Sequence, residues 1–322
     1  MQKGAKRART IDLRLGVAGR FSKSGLSFPC PESMAQSRTE ADLQRVSQRT
    51  RVDPQQLAAG LSTLFSSADY RPPVLPSIAM ELVGIARRPD VAIPAVVKLL
   101  KNEQMLTARL LQLAQSSLYG RGSGATLTLG QVILRLGLKR VADIFMQAAL
   151  EVRMFRARGF EQPMNRLRRH SAATAEMARI VCQRVGIDDD HAFLCGLLHD
   201  MGLAASIIAV SEGTLGEGID FDSACGPIFE VHETAGRRLA EIWRLPTEIA
   251  VVIANHHGSR PFPTPTAAAV ALADLLVSEQ GAGIDRECDP STGESAAKRL
   301  NLGSDVIAEF RVEAARIVTA LA

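Results

Sequence analysis

Six histidines occur in the chain, and five of them fall in one ordered series with two aspartates: His170, His199-Asp200, His232, His256-His257 and Asp274. Imidazole and carboxylate are ligand types for first-row divalent cations, and seven such groups could be divided between two ions that share one carboxylate. His199-Asp200 stands in an apolar run, Gly196-Leu197-Leu198-His199-Asp200-Met201-Gly202, which reads as part of one helix over about 191–208. An ionised Asp in such a run must be paired, because an isolated buried charge is strongly unfavourable. The partner is either a metal or the histidines themselves, since a polar cluster with every member satisfied is also a stable core element.

Other sites with chemical content are weaker. His191 and Cys195 have the i, i+4 spacing of two metal ligands, but two groups on one turn read as incidental. Arg121-Gly122-Ser123-Gly124 lacks the strand, helix and lysine of a phosphate loop and reads as a connector. Arg166, Arg168 and Arg169 precede His170 and read as a solvated first turn rather than an anion trap.

The elements that must position the seven residues are helices. Leu129, Val132, Ile133 and Leu136 repeat at i, i+3, i+4, i+7 and stop at Gly137. Val141, Ile144, Phe145, Ala148 and Val152 continue the pattern, and earlier segments fall around Val96–Leu100 and Leu106–Ala114. Further helices are predicted at about 165–185, 191–208, 228–243, 246–255, 265–279 and 304–321, with Pro and Gly between them. Apolar residues make up 46% of the 322 positions but aromatics only 4%, so Ala, Leu, Val and Ile carry the core. The reading is an all-α protein.

Charge and cysteine content limit the partners. The net charge is +4, yet positions 1–51 alone carry +7, which leaves the remainder at −3. That basic segment has too few large apolar residues to offset the entropy of ordering and reads as a flexible arm. The acidic body argues against a nucleic-acid surface. Five cysteines without C-x-x-C spacing indicate neither a disulfide framework nor a zinc ribbon, and no signal-peptide or membrane-spanning run is seen, so a cytoplasmic protein with no membrane partner is expected.

In their order, the seven residues resemble the metal-binding series of the HD superfamily of phosphohydrolases, most closely its HD-GYP branch. Leu75-Pro76, Leu106-Thr107-Ala108-Arg109-Leu110-Leu111-Gln112-Leu113-Ala114, Ser116, Tyr119-Gly120 and Ile133-Leu134-Arg135-Leu136-Gly137 resemble the N-terminal helices of the HDOD domain, the HD-related output domain of bacterial signalling proteins. Gly196 to Gly202 and Trp243-Arg244-Leu245-Pro246 do so too, and the likeness covers about residues 65–280. It implies an HD-superfamily-like multi-helix bundle in two helical lobes. The expected limits are an arm at 1–51 and an HDOD-like domain at 52–322, with an N-terminal lobe at about 52–158, an HD-like lobe at about 159–285 and a C-terminal helix at about 300–322.

The resemblance also implies a regulatory output module that acts through a signalling protein partner or a small phosphorylated ligand. One or two divalent ions (Fe, Mn, Mg or Zn) would be held by His170, His199, Asp200 and Asp274, and by Asp200, His232, His256 and His257. Three positions depart from the families. Gln115 stands where an Asn is common, Leu203 replaces the lysine after the His-Asp pair, and Gly258-Ser259-Arg260-Pro261-Phe262-Pro263 replaces the Gly-Tyr-Pro segment. The latter two remove helpers that hold a phosphodiester in line, so an enzyme is not the first expectation. The alternative is a metal-dependent phosphohydrolase of a phosphodiester, cyclic dinucleotide or nucleotide, with Asp200 acting with the metal site.

Overall fold

The computed structural model describes residues 53–120, 127–187, 191–213, 215–257, 261–284 and 289–321. The arm at 1–51, the connector at 121–124 and Gly258, Ser259 and Arg260 lie outside the described residues. Asp53 accepts a hydrogen bond from the Gln55 amide and Pro54 takes the first turn, which starts α1 (Pro54–Ser66). After the prolines at 72, 73 and 76 come α2 (Ser77–Ile85), α3 (Ile93–Lys101) and α4 (Gln104–Ala114). A capping box between Thr128 and Gln131 opens α5 (Leu129–Leu136). Gly137, at φ 81°, then turns the chain into α6 (Leu138–Arg153).

The second half contains α7 (Glu161–Val185), α8 (Ala192–Leu198), α9 (Met201–Ser211), α10 (Phe221–Ile242) and α11 (Thr247–Ile253). Next come α12 (Pro265–Val277), a π-helical turn at Ser278–Ala282, α13 (Pro290–Arg299) and α14 (Ser304–Leu321). No strand occurs among the described residues. The all-α expectation therefore holds.

Helices α2 and α4 pack on α6 with α5 beside them and form the first lobe, while α7 packs against α8, α12 and α14 in the second. Helix α1, grouped by sequence with the first lobe, packs on α10 of the second. Apolar burial decides the arrangement of the second lobe. Residues 267–277 of α12 are buried on all sides except at Asp274, so this helix must be enclosed by its neighbours. The stretch Ala192–Ser211 is apolar and long enough to cross a membrane, but it lies wholly inside the protein.

The helix expected over 191–208 is two helices. His199 and Asp200 form the turn between α8 and α9, with Asp200 at the N-cap of α9. This corrects the single helix: His199 keeps helical dihedrals, but Asp200, at φ −100° and ψ 18°, leaves them and separates the two. A Cβ at Gly202 would sit 1.9 Å from the His232 carbonyl oxygen, so the first turn of α9 lies against the backbone of α10.

Helix α6 buries a polar stripe, Asp143, Gln147 and Glu151, spaced by four residues within an otherwise apolar segment. Burial pushes the Asp143 carboxyl up from 3.8 to about 7, against the opposing pull of Arg140. A folded value above the unfolded one means that the unfolded chain binds fewer protons between pH 3.8 and 7, so this group lowers stability as pH rises through that window. Asp143→Asn is therefore expected to raise stability by about 2 kcal/mol at pH 8 and by little at pH 4. Urea melts at the two pH values check this, and an equal change at both would reject it.

Candidate metal centre

Five elements converge on one point. Helix α7 brings His170, the α8–α9 turn brings His199 and Asp200, α10 brings His232, the segment after α11 brings His256 and His257, and α12 brings Asp274. Asp200 is the hub. Its Oδ2 lies 3.2 Å from His199 Nε2 and 3.6 Å from His170 Nε2, and its Oδ1 lies 3.2 Å from His256 Nε2 and 3.8 Å from His232 Nε2. Asp274 Oδ1 is 3.1 Å from His170 Nε2, and His257 Nε2 is 2.8 Å from His232 Nε2. Two donor groups result, His170 with His199 and Asp200, and Asp200 with His232, His256 and His257. All seven side chains picked out in the sequence are brought together.

The orientation of three histidines is set by one device. The Nδ1–H of His199 donates to the carbonyl of Gly196 at 2.8 Å, that of His232 to Phe229 at 2.5 Å and that of His256 to Ile253 at 3.0 Å. In each case the acceptor lies three residues back, so local helical geometry selects the tautomer. A carbonyl can only accept, so the proton sits on Nδ1 and the neutral ring presents a lone pair at Nε2. Those lone pairs face Asp200, which is itself an acceptor. Acceptor against acceptor at 3.2 Å requires positive charge between them, either a proton or a cation.

Protons meet that demand on one side only. Burial alone would lower His199, but the charge of Asp200 overrides it and raises the ring to about 9. Asp200 is held well below the usual carboxylate range, because His199 and His256 outweigh its burial. Asp274 falls to about 2, its burial outweighed by the hydrogen bond from His170. In contrast, burial pushes His232 down to about 4 and His257 down to about 3. Both rings are therefore uncharged at neutral pH, and the 2.8 Å contact between them is a hydrogen bond in which His257 Nε2–H donates to His232 Nε2.

The donor set fits divalent cations. Ligands each about 2.0–2.2 Å from one ion stand about 3.0–3.6 Å apart from one another; the close pairs here run from 2.8 to 3.8 Å, and the ligand atoms within each donor group all lie within 4.8 Å of one another. His170, His199, Asp200, His232 and His256 are buried, whereas His257 and Asp274 are half-buried.

The remaining sequence candidates do not join the centre. Cys195 is buried, and burial pushes its thiol up, away from the reactive thiolate. Neither it nor His191 belongs to the metal-type donor groups found among the described residues. Arg168 is not a solvated turn residue, since its guanidinium pairs with Glu151 at 3.6 Å. Leu203 lies in the core and offers no cation.

The HDOD domain family model matches residues 73–259. The chain belongs to the HDOD family. Among solved structures, an HDOD domain protein of unknown function from Geobacter sulfurreducens is 25% identical with a TM-score of 0.64, over 84% of this chain and 98% of that one. A protein from Shewanella amazonensis, provisionally named a metal-dependent phosphohydrolase, is 19% identical with a TM-score of 0.60, over 84% and 99% of the two chains. A protein from Marinobacter aquaeolei, provisionally named a signal transduction protein, gives 17% and 0.60, over 85% of this HDOD chain and 66% of its own. These two share the HDOD chain's fold. A search of curated proteins finds no match.

Sequence reading missed a second buried polar group. Arg140 packs over the rings of Tyr119 at 4.9 Å and Phe193 at 4.8 Å and pairs with Glu176. The Tyr119 hydroxyl donates to Gln147 at 2.7 Å, and Gln147 donates to Glu151 at 3.1 Å. The signal was present as three polar residues at four-residue spacing in α6, an apolar helix.

Proposed function

We propose that this chain is a bacterial, cytoplasmic signal-transduction module of HDOD type, whose HD cavity holds one or two divalent cations and whose output is contact with a protein partner. The observation that supports the cation reading is the gathering of two metal-type donor groups around one shared carboxylate, with the ligand atoms of each group within 4.8 Å of one another. Family membership and the likeness to a provisionally named signal transduction protein support the regulatory reading. His170, His199, Asp200 and Asp274 would hold one ion, and Asp200, His232, His256 and His257 the other, with Fe, Mn, Mg or Zn as candidates. Bound cations would neutralise charge and, in a hydrolase, activate a water. The chain's own contribution is to fix the imidazoles through their Nδ1 bonds and to keep five donors away from solvent.

A second reading is a phosphohydrolase of a phosphodiester, cyclic dinucleotide or nucleotide, supported by the full set of seven ligand-type residues in one place. Leu203 in place of a cation weighs against it, because a developing phosphate charge would have one helper fewer. Elemental analysis of protein purified without chelator, followed by assays of cyclic dinucleotides, nucleotides and a generic phosphodiester with Mn²⁺ or Fe²⁺, separates the two. One to two ions per chain without turnover is the expected result. Turnover abolished by Asp200→Ala would favour the enzyme, and absence of metal would reject the cation reading.

Binding should also release protons. His199 carries a proton below about pH 9 and must lose it to act as a ligand, while His232 and His257 are already neutral. At pH 7.5 about one proton should leave per chain, and apparent affinity should rise about tenfold per pH unit up to about 9. Titration calorimetry in buffers of different ionisation enthalpy reads this directly. An enthalpy indifferent to buffer would contradict it.

A further inference from the structure

The lobe contact contains a device that the cation centre does not explain by itself. Arg140, on α6 of the first lobe, reaches α7 through Glu176 and α8 through the Phe193 ring. Those are the two helices that deliver His170 and His199. Both faces of α7 are engaged: Arg168 and Glu176, eight residues apart, turn to the first lobe, while His170, 200° around the helix from Arg168, turns to Asp200 and Asp274. Glu151 at the end of the α6 stripe holds Arg168 and also Arg109, the latter at 2.6 Å. Thus α7 is fastened to the first lobe two residues before His170 and six residues after it.

We infer that Arg140 and Glu151 couple cation occupancy of the His170–His199–Asp200 group to docking of the first lobe, making that lobe the part of the molecule that reports the state of the centre. The inference rests on the cation reading above and adds its regulation. The two Nε2 atoms of His170 and His199 stand 3.3 Å apart with Asp200 beside them. A cation placed there fixes the distance between α7 and α8, and Arg140 spans that same pair of helices. Any preference of the cation for one α7–α8 spacing is then shared by the lobe contact, and by linkage the effect runs equally in both directions. The Arg140–Glu176 pair suits this task because Glu176 is buried and the half-buried guanidinium is held between two rings, so the pair has one good geometry rather than many.

Hydrogen exchange of the full chain with and without Mn²⁺ tests the idea. Helix α6 supplies none of the seven ligands, yet its amides are expected to exchange about tenfold more slowly with Mn²⁺ bound. In Arg140→Met/Glu176→Leu/Asp143→Asn, which removes the pair together with the carboxylate that Arg140 also holds and leaves Arg179 at the solvent-facing edge, slowing should be confined to the segments bearing the ligands, and affinity at one ion site should drop about tenfold. Arg140→Lys should restore part of the α6 response, which a purely structural loss would not. If the triple variant does not fold, Glu151→Gln provides the second test, with a smaller loss of the α6 response expected. Mn²⁺ bound while wild-type α6 exchange stays unchanged, or an α6 response that survives the triple variant, would overturn the coupling alone. No Mn²⁺ bound at all would overturn both the coupling and the cation reading.

Discussion

Asp200→Ala is expected to abolish stable cation binding at both donor groups at once. Among the described residues Asp200 alone belongs to both groups, its two oxygens lying within 3.8 Å of His170, His199, His232 and His256. If four ligands share about 10–16 kcal/mol of binding free energy, one of them contributes about 3 kcal/mol, or more than 100-fold in affinity, at each ion. Loss of the carboxylate also removes the charge that holds His199 near 9, so burial should carry that ring below its ordinary 6.5. Proton release on binding should vanish with it. The wild-type chain should melt higher as Mn²⁺ is added, by about 2.7 kcal/mol at a hundredfold excess over the dissociation constant, and the variant should not respond. A variant that still takes up two ions would show that Asp200 is not shared. His257→Ala, by comparison, should spare the first group and weaken only the second.

Gly202→Ala should be the most damaging single methyl in the protein. The added carbon would meet the His232 carbonyl oxygen at 1.9 Å and the Gly236 amide nitrogen at 2.7 Å, both of them backbone atoms that cannot rotate away. Relief requires α9 to separate from α10, which opens the packing of a fully buried segment and displaces His232 together with its carbonyl. A cost of about 3–5 kcal/mol follows, much of the stability of an ordinary domain. Gly130→Ala is the matched control: it sits in the first turn of α5 with nothing within 4 Å of the new carbon. There the substitution should be neutral or stabilise by up to about 1 kcal/mol, since alanine restricts the unfolded chain and favours helix. Denaturant melts of the two variants make the comparison, and a Gly202→Ala midpoint equal to wild type would refute the backbone contact.

The acid-base behaviour of the centre follows from its construction rather than from its composition. Identical imidazoles are driven in opposite directions, His199 up to about 9 by Asp200 and His257 down to about 3 by burial and its histidine neighbours. The balance between burial and the Asp200 charge decides which. Such asymmetry suits an ordered assembly, in which the group that is already neutral is ready for a cation and the protonated group must first release its proton.

Much of this was legible in one dimension. Helical periodicity at 129–136 and 141–152, the glycine at 137 and the prolines between segments reflect local sterics and capping, and these act within a few residues of chain. The seven ligand-type residues could be chosen because imidazoles and carboxylates are rare in apolar helices and costly there without partners. The break at His199-Asp200 could not be read from an unbroken apolar run, and neither could the close approach of Gly202 to the α10 backbone, a contact between residues thirty positions apart. Nor could the pairing of α1 with α10, or the partners of the α6 stripe, which depend on which faces meet after the helices pack. Residue types and spacing determined the helices and the candidate ligands. The shared carboxylate, Asp200, was also among the sequence expectations; only the tertiary structure decided which imidazoles it charges and that Arg140 spans the two helices behind them, since charge and hydrogen-bond satisfaction are set by neighbours in space rather than by neighbours in sequence.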